Sequence, residues 1–258
     1  MKTAIKEDAV KERLDFARNN ILPVMVPILL AEYGKATPPD EKADDACVEK
    51  IQERFPFDSI LTEERDTVDA NITGTNEYQW VIDPLDSTYN YEKQIPLYTI
   101  SIALKKNGRL ESGLVYHPPT DTLYHCQREA GAFMNNALIH VTPISKLGSA
   151  RVSLVHDMPY ENHDMTGLKQ KLEQKIRRPE KWACTSLELA NVASGLTDGF
   201  VKPSDNPWGV SAGLLLVKAA GGKVTSYRKK GSNARIHVAS NPFIHDKLCR
   251  IVDDYVKA

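Results

Sequence analysis

The sequence predicts an α+β lobe built on an antiparallel sheet, followed by an α/β lobe. Three observations carry this. Between residues 78 and 136, β-forming segments follow one another with short turns, among them Asn107-Gly108, a strong hairpin signal. From about residue 141, strand-like and helix-like segments alternate, as they do in α/β units. Ahead of both lies a region whose apolar residues recur at helical spacing. We place the lobes at residues 1–140 and 141–258, joined as one compact unit because no linker is long enough to free them.

Residues 4–33 read as a helix, broken or kinked near Pro23 and Pro27, since proline lacks the N–H and clashes with the preceding turn. "GKATPPDE" is a loop. "KADDACVEKIQERF" places Ala43, Cys47, Val48, Ile51 and Phe55 close to helical period. "DSILTEE" is a short strand ending in two acids, "RDTVDANITGTNE" a polar loop or hairpin, and "YQWVID" a strand rich in β-formers. "YTISIALKK" and "RLESGLVYHP" pair through the Asn107-Gly108 turn, and "TDTLYHCQREAGAFMNN" continues the meander. In the second lobe, strands are expected at "ARVSLVHD", "DGFVK", "KVTSY" and "RIHVAS". Helices are expected at "DMTGLKQKLEQKIR", "TSLELANVASGL", "VSAGLLLVKAAGG" and "PFIHDKLCRIVDDYVKA". Thr185 and Glu188, three residues apart, form a capping-box pattern, and Gly221-Gly222 a helix stop.

The 258 residues suffice for a substantial core. The 33 basic and 34 acidic residues give a formal net charge of −1, so no general attraction for a nucleic-acid polymer or an anionic membrane is expected. Cys47, Cys126, Cys184 and Cys249 are scattered, without a CxxC pair or a zinc-spaced Cys/His cluster. Reduced thiols and a cytoplasmic location follow as expectations. The charged N-terminus reads as helix rather than signal peptide. The most apolar window, "ILPVMVPILLAEYG", holds two prolines and falls short of the ~20 residues that span a bilayer.

The chemistry concentrates in "WVIDPLDSTYNYEKQ", residues 80–94. An apolar strand ends in Asp83 and Asp86, and another ends in Glu63 and Glu64. A buried carboxylate is costly unless paired or metal-bound. Glu63, Asp83 and Asp86 meet if the two strands are neighbours. Hard cations such as Mg2+ take carboxylate and carbonyl oxygens and keep room for waters and a phosphate. Pro84 stiffens the turn so that the Leu85 carbonyl can join the acids. "STYNYEK" can open a helix whose free N–H groups meet an anion.

These residues resemble the inositol monophosphatase family of Mg2+-dependent, lithium-sensitive phosphomonoesterases. The family pattern D-P-[LI]-D-G-T-x-N-[FY] stands here as Asp83-Pro84-Leu85-Asp86-Ser87-Thr88-Tyr89-Asn90-Tyr91. Its G-E-E appears as Thr62-Glu63-Glu64, and its T-x-x-D approach is placed at Lys42-Ala43-Asp44-Asp45. "SGLVYHPPTDTLYHCQREAGAFMNN" and "WGVSAGLLLVKAAGGKVT" resemble its later segments, and the likeness runs from about residue 8 to 255. It implies a layered α-β-α-β-α sugar-phosphatase architecture. The antiparallel sheet and most metal ligands would lie in the first lobe, with a mixed sheet completing the substrate site in the second. It implies that Glu63, Asp83 and the Leu85 carbonyl hold a first Mg2+, and that Asp83 and Asp86 share a second. Thr88 with Asp45 would orient the attacking water, and the Ser87 and Thr88 N–H groups would bind phosphate. Mn2+ is an alternative cation, Li+ an inhibitor, a small phosphorylated metabolite the substrate, and a homodimer the default assembly.

Four departures stand out. The Asp that follows the tryptophan in the family is Gly209 here, which removes one carboxylate from the second metal site; Asp205 is a distant candidate replacement. The polyol-facing Glu becomes Lys202, which points to a more anionic substrate. The G-S-A-A-L segment becomes Ala183-Cys184-Thr185-Ser186-Leu187, and Ser87 replaces a glycine, tolerable only at negative φ. A second reading follows from them: a weakened or inactive member that binds a phosphorylated ligand or a protein partner. "GVSAG", residues 209–213, matches G-x-S-x-G, but a proline-containing loop precedes it. Ser211 therefore reads as a small helix-packing residue. The seven histidines are dispersed and read as surface or satisfied core positions.

Overall fold

A computed structural model describes residues 2–35, 37–65, 77–154, 165–204, 206–228 and 235–257. The expected polar loop falls mostly outside them. Helix α1 (Lys2–Phe16) runs through a π-turn, Ala17–Ile21, into α2 (Leu22–Glu32). The helix is not broken at Pro23. The wider turn directly before that proline accommodates the missing N–H and the ring, and Pro27 lies inside α2. Ala9–Glu32 is thereby long and apolar enough to cross a membrane by length and composition, which the shorter apolar window did not suggest. Its Ile21, Met25 and Leu29 are nonetheless fully buried in the core with α3 (Asp40–Arg54).

The chain then forms β1 (Ser59–Thr62), β2 (Tyr78–Asp86), the short helix α4 (Thr88–Glu92), β3 (Thr99–Lys106), β4 (Arg109–His117), β5 (Thr122–Gln127), β6 (Gly131–Met134) and β7 (Ala137–Ile139). These strands make one sheet in chain order. All neighbours are antiparallel except β1, which lies parallel to β2. The β3–β4 hairpin turns at Asn107 and Gly108, with φ +49° and +76°, as that dipeptide requires.

The second part comprises β8 (Arg151–Leu154), α5 (Thr166–Glu173), β9 (Arg178–Glu180), α6 (Thr185–Ala193), β10 (Gly199–Ser204), α7 (Pro207–Ala219), β11 (Lys223–Arg228), β12 (Arg235–Ser240) and α8 (Pro242–Val256). Its sheet has the order β11-β12-β10-β8-β9 and is mixed. α7 ends as expected: Gly221 has φ +86° while Gly221 and Gly222 donate back to Lys218 and Val217.

Side-chain alternation stacks these parts. Along β2, Trp80 and Ile82 face the core with α1–α3, whereas Val81 faces α6 and α7. Along β10, Phe200 faces α6 and α7, whereas Val201 faces α5 and α8. The order is helices, sheet, helices, sheet, helices, the layered α-β-α-β-α arrangement. α6 and α7 fill the middle layer and touch because Gly213 is bare: a Cβ there would lie 2.5 Å from that of Leu189. Ala212 in turn sits 3.0 Å from the Cβ position of Gly113. Ser211 is buried and donates to the Pro207 carbonyl at 2.6 Å, a packing residue rather than a nucleophile.

Candidate active site

The parallel β1–β2 pair positions the acids. Thr62 lies opposite Ile82, so the residues that follow, Glu63 and Asp83, emerge at the same sheet end. An antiparallel pair would have sent them to opposite ends. Beyond Asp83, β2 bulges: Asp83 faces Ser101 and Asp86 faces Thr99, leaving Pro84 and Leu85 opposite a single residue. Pro84 needs no ladder partner there. The bulge turns Leu85 N–H onto Asp83 Oδ1 at 3.1 Å, and Thr88 Oγ1 donates to the Leu85 carbonyl at 3.4 Å.

Glu63 lies close enough to Asp83 and Trp208 for both to act on its carboxyl. Burial, then the charges of Asp86 and Glu63, push Asp83 well above the usual carboxylate range. Burial chiefly raises Glu63, with Asp86 and Asp40 adding to it. Glu64 is pushed up to about 7 by burial and by Asp40 and Glu63. A cluster of carboxylates this reluctant to ionise together suits a divalent cation. Glu63, Asp83 and the Leu85 carbonyl are the oxygen donors that could hold one. Among the described residues, no group of three His, Cys, Asp or Glu side chains stands ready to hold a metal.

Asp86 is engaged differently. Its carboxylate accepts from Ser186 N and Ser186 Oγ, both at 2.6 Å, and from Thr185 N at 3.4 Å, at the start of α6. Burial raises its pKa while these donors hold it down. Gly209 opens α7 beside the acids: a Cβ there would lie 3.6 Å from Asp83 Oδ2, with no other contact within 4 Å. Asp205 lies outside the described residues. The Trp208 carbonyl accepts from Ser101 Oγ at 3.2 Å, which fixes α7 against β3.

Four expectations need correction. Asp45 does not join the site: its side chain is 74 % exposed and paired with Arg65, whose Nε also bonds Asp44 at 2.5 Å. Asp40, in the first turn of α3, is the α3 acid whose charge raises both Glu63 and Glu64. The signal was present, because Thr37-Pro38-Pro39-Asp40 carries the T-x-x-D spacing. Lys202 is no substrate-facing cation: it is buried in an ion pair with Glu188, whose other oxygen accepts from Trp182 N at 2.9 Å. That use of Glu188 also removes the capping box, since Thr185 is already helical and Cys184 occupies the cap position. Ser87 adopts φ +80°, not a negative value, and its buried Oγ has no hydrogen-bond partner.

The model of the inositol monophosphatase family matches residues 31–257. The fructose-1,6-bisphosphatase/inositol-1-monophosphatase of Thermotoga maritima is 32 % identical over 221 residues, 84 % of this chain and 82 % of that protein. The Nus factor SuhB of Escherichia coli is 31 % identical over 191 residues, 73 % of this chain and 70 % of that protein. The structure of inositol monophosphatase from Anabaena superposes with a TM-score of 0.85 at 31 % identity, covering 95 % of this chain and 97 % of that one. By sequence and by fold, the chain belongs to the inositol monophosphatase family.

Proposed function

We propose that the chain hydrolyses the phosphomonoester of a small sugar, polyol or nucleotide, using a divalent cation, Mg2+ or Mn2+. The observation that supports this most is the Glu63–Asp83 pair: two carboxyls brought together at one sheet end by the parallel β1–β2 register, with Asp86 near enough for its charge to raise both. Glu63, Asp83 and the Leu85 carbonyl are the groups assigned to the cation. When bound, it activates water and neutralises phosphoryl charge. Thr88 and Asp40 are assigned to orienting the attacking water. The N–H groups of Ser87 and Thr88 are assigned to the phosphate oxygens, which positions the ester without covalent chemistry by the protein. With Lys202 neutralised by Glu188, the ground for expecting a second anionic group on the substrate is gone. Li+ is expected to inhibit. The free cysteines fit a cytoplasmic setting.

Phosphate release from a panel of sugar, polyol and nucleotide monophosphates, with Mg2+ and Mn2+, tests the reading. Turnover that disappears in Asp83→Asn supports it. Gly209 favours a second reading, a member that binds a phosphorylated ligand or a protein partner without turning anything over. Native protein silent on the whole panel, with activity gained in Gly209→Asp, would establish that reading instead.

A further inference from the structure

We infer that Asp86 serves in this chain as a clamp on helix α6 rather than as a ligand to a second cation, so that the site takes one divalent cation. The inference rests on the hydrolase reading for the first cation and on geometry for the clamp. Asp86 Oδ2 accepts from Ser186 N and Ser186 Oγ at 2.6 Å and from Cys184 Sγ at 3.5 Å; Oδ1 accepts from Thr185 N at 3.4 Å. Three consecutive residues thus spend their donors on one carboxylate. A carboxylate oxygen offers about two lone-pair sites, so Oδ2 is filled; Oδ1 keeps one beside its Thr185 contact, and with glycine at 209 the acid that would share a cation there with it is missing. Ser186 Oγ also meets Thr99 Oγ1 at 2.5 Å, and Thr99 is the residue opposite Asp86 across the β2–β3 pair. Asp86, Thr99, Cys184 and Ser186 are all buried. The knot ties the first sheet to the middle helical layer, and it places a carboxylate where the N–H groups that open a nine-residue helix end.

Two departures from the family pattern converge on this one carboxylate. Gly209 withdraws the acid that would share a second cation with Asp86. Ser186 stands where the pattern has alanine, and its hydroxyl adds a donor to the same oxygen. Ala183, at φ +56° where the pattern has glycine, turns the chain into the helix start. Glu188, held by Lys202 and Trp182 N, fixes the first turns of α6 from the far side. The helix start is therefore set by protein groups alone.

The test counts Mn2+ bound per chain in the full-length protein, by equilibrium dialysis with paramagnetic resonance of free Mn2+, beside thermal melts in EDTA. We expect one Mn2+ per native chain and the same stoichiometry in Asp86→Asn. In EDTA, Asp86→Asn and Ser186→Ala should each lower the melting temperature by roughly 5 °C, as loss of a buried charged hydrogen bond does. Two Mn2+ per native chain, falling to one in Asp86→Asn, overturns the inference. So do melts unchanged in both variants. No bound Mn2+ at all would defeat the hydrolase reading, and the melts alone would then support or overturn the clamp.

Discussion

Two stretches meet at this site, and they differ. From Asp83 to Tyr91 the chain keeps nearly every group that its family resemblance implies, and the bulge in β2 presents them at one sheet end. From Lys202 to Gly209 it has lost both acids; one position became a buried cation and the other a bare backbone. The difference teaches that the two halves are constrained by different physics. The first half gathers carboxylates that raise one another's proton affinity, an arrangement that a proton or a bound cation relieves. The second half has converted its polar groups into internal partners. Lys202 pairs with Glu188, and Ser101 holds the Trp208 carbonyl.

The largest expected effect lies in the second half. Lys202→Ala strands Glu188 in the interior and should cost about 3–5 kcal/mol in urea unfolding. If Lys202 instead contacts substrate, the same change would raise KM and leave stability alone. Next is Gly213→Ala in α7, whose added methyl meets Leu189 at 2.5 Å; about 1–3 kcal/mol of lost stability is expected. An unchanged melt there would break the account of why α6 and α7 touch.

The first half is sharpened by pH. A carboxyl whose pKa is raised on folding contributes stability below its unfolded pKa and loses it as pH rises through the folded value. For Glu64 that window runs from 4.5 to about 7; Glu63 and Asp83 shift in the same direction. In EDTA the melting temperature of native protein, taken relative to Glu64→Gln so that the buried histidines cancel, should therefore fall between about pH 4.5 and about pH 7, and saturating Mg2+ should flatten the fall. A difference that rises across this range would contradict the clustered acids. The smallest effect belongs to Ser87. Replacing it with glycine removes a side chain from a left-handed conformation and should stabilise by about 1 kcal/mol, read from the urea midpoint.

Local signals made much of this legible in the sequence. The Asn107-Gly108 turn, the β-forming run Tyr78–Asp83 and the Gly221-Gly222 stop each depend on neighbours in the chain. Non-local pairings were not legible. The parallel register of β1 on β2 joins segments 15 residues apart in the sequence, and no pattern within "SILT" announces it. β9 spans three residues, one of them proline, too short to show a period. Thr185 and Glu188 had the spacing of a capping box, yet Lys202, on another element, claims the glutamate. The T-x-x-D match was placed at Lys42–Asp45, inside α3, whereas the threonine that the pattern asks for stands at Thr37, three residues before Asp40, where α3 starts.

The central claim is that the chemistry rests on the intact half, and above all on Asp83. The most direct measurement is the rate of phosphate release by Asp83→Asn beside native protein, with saturating Mg2+, on whichever monophosphate the native chain turns over fastest. The account predicts a loss of at least about a hundredfold with the fold preserved. A variant that retains the native rate would contradict it.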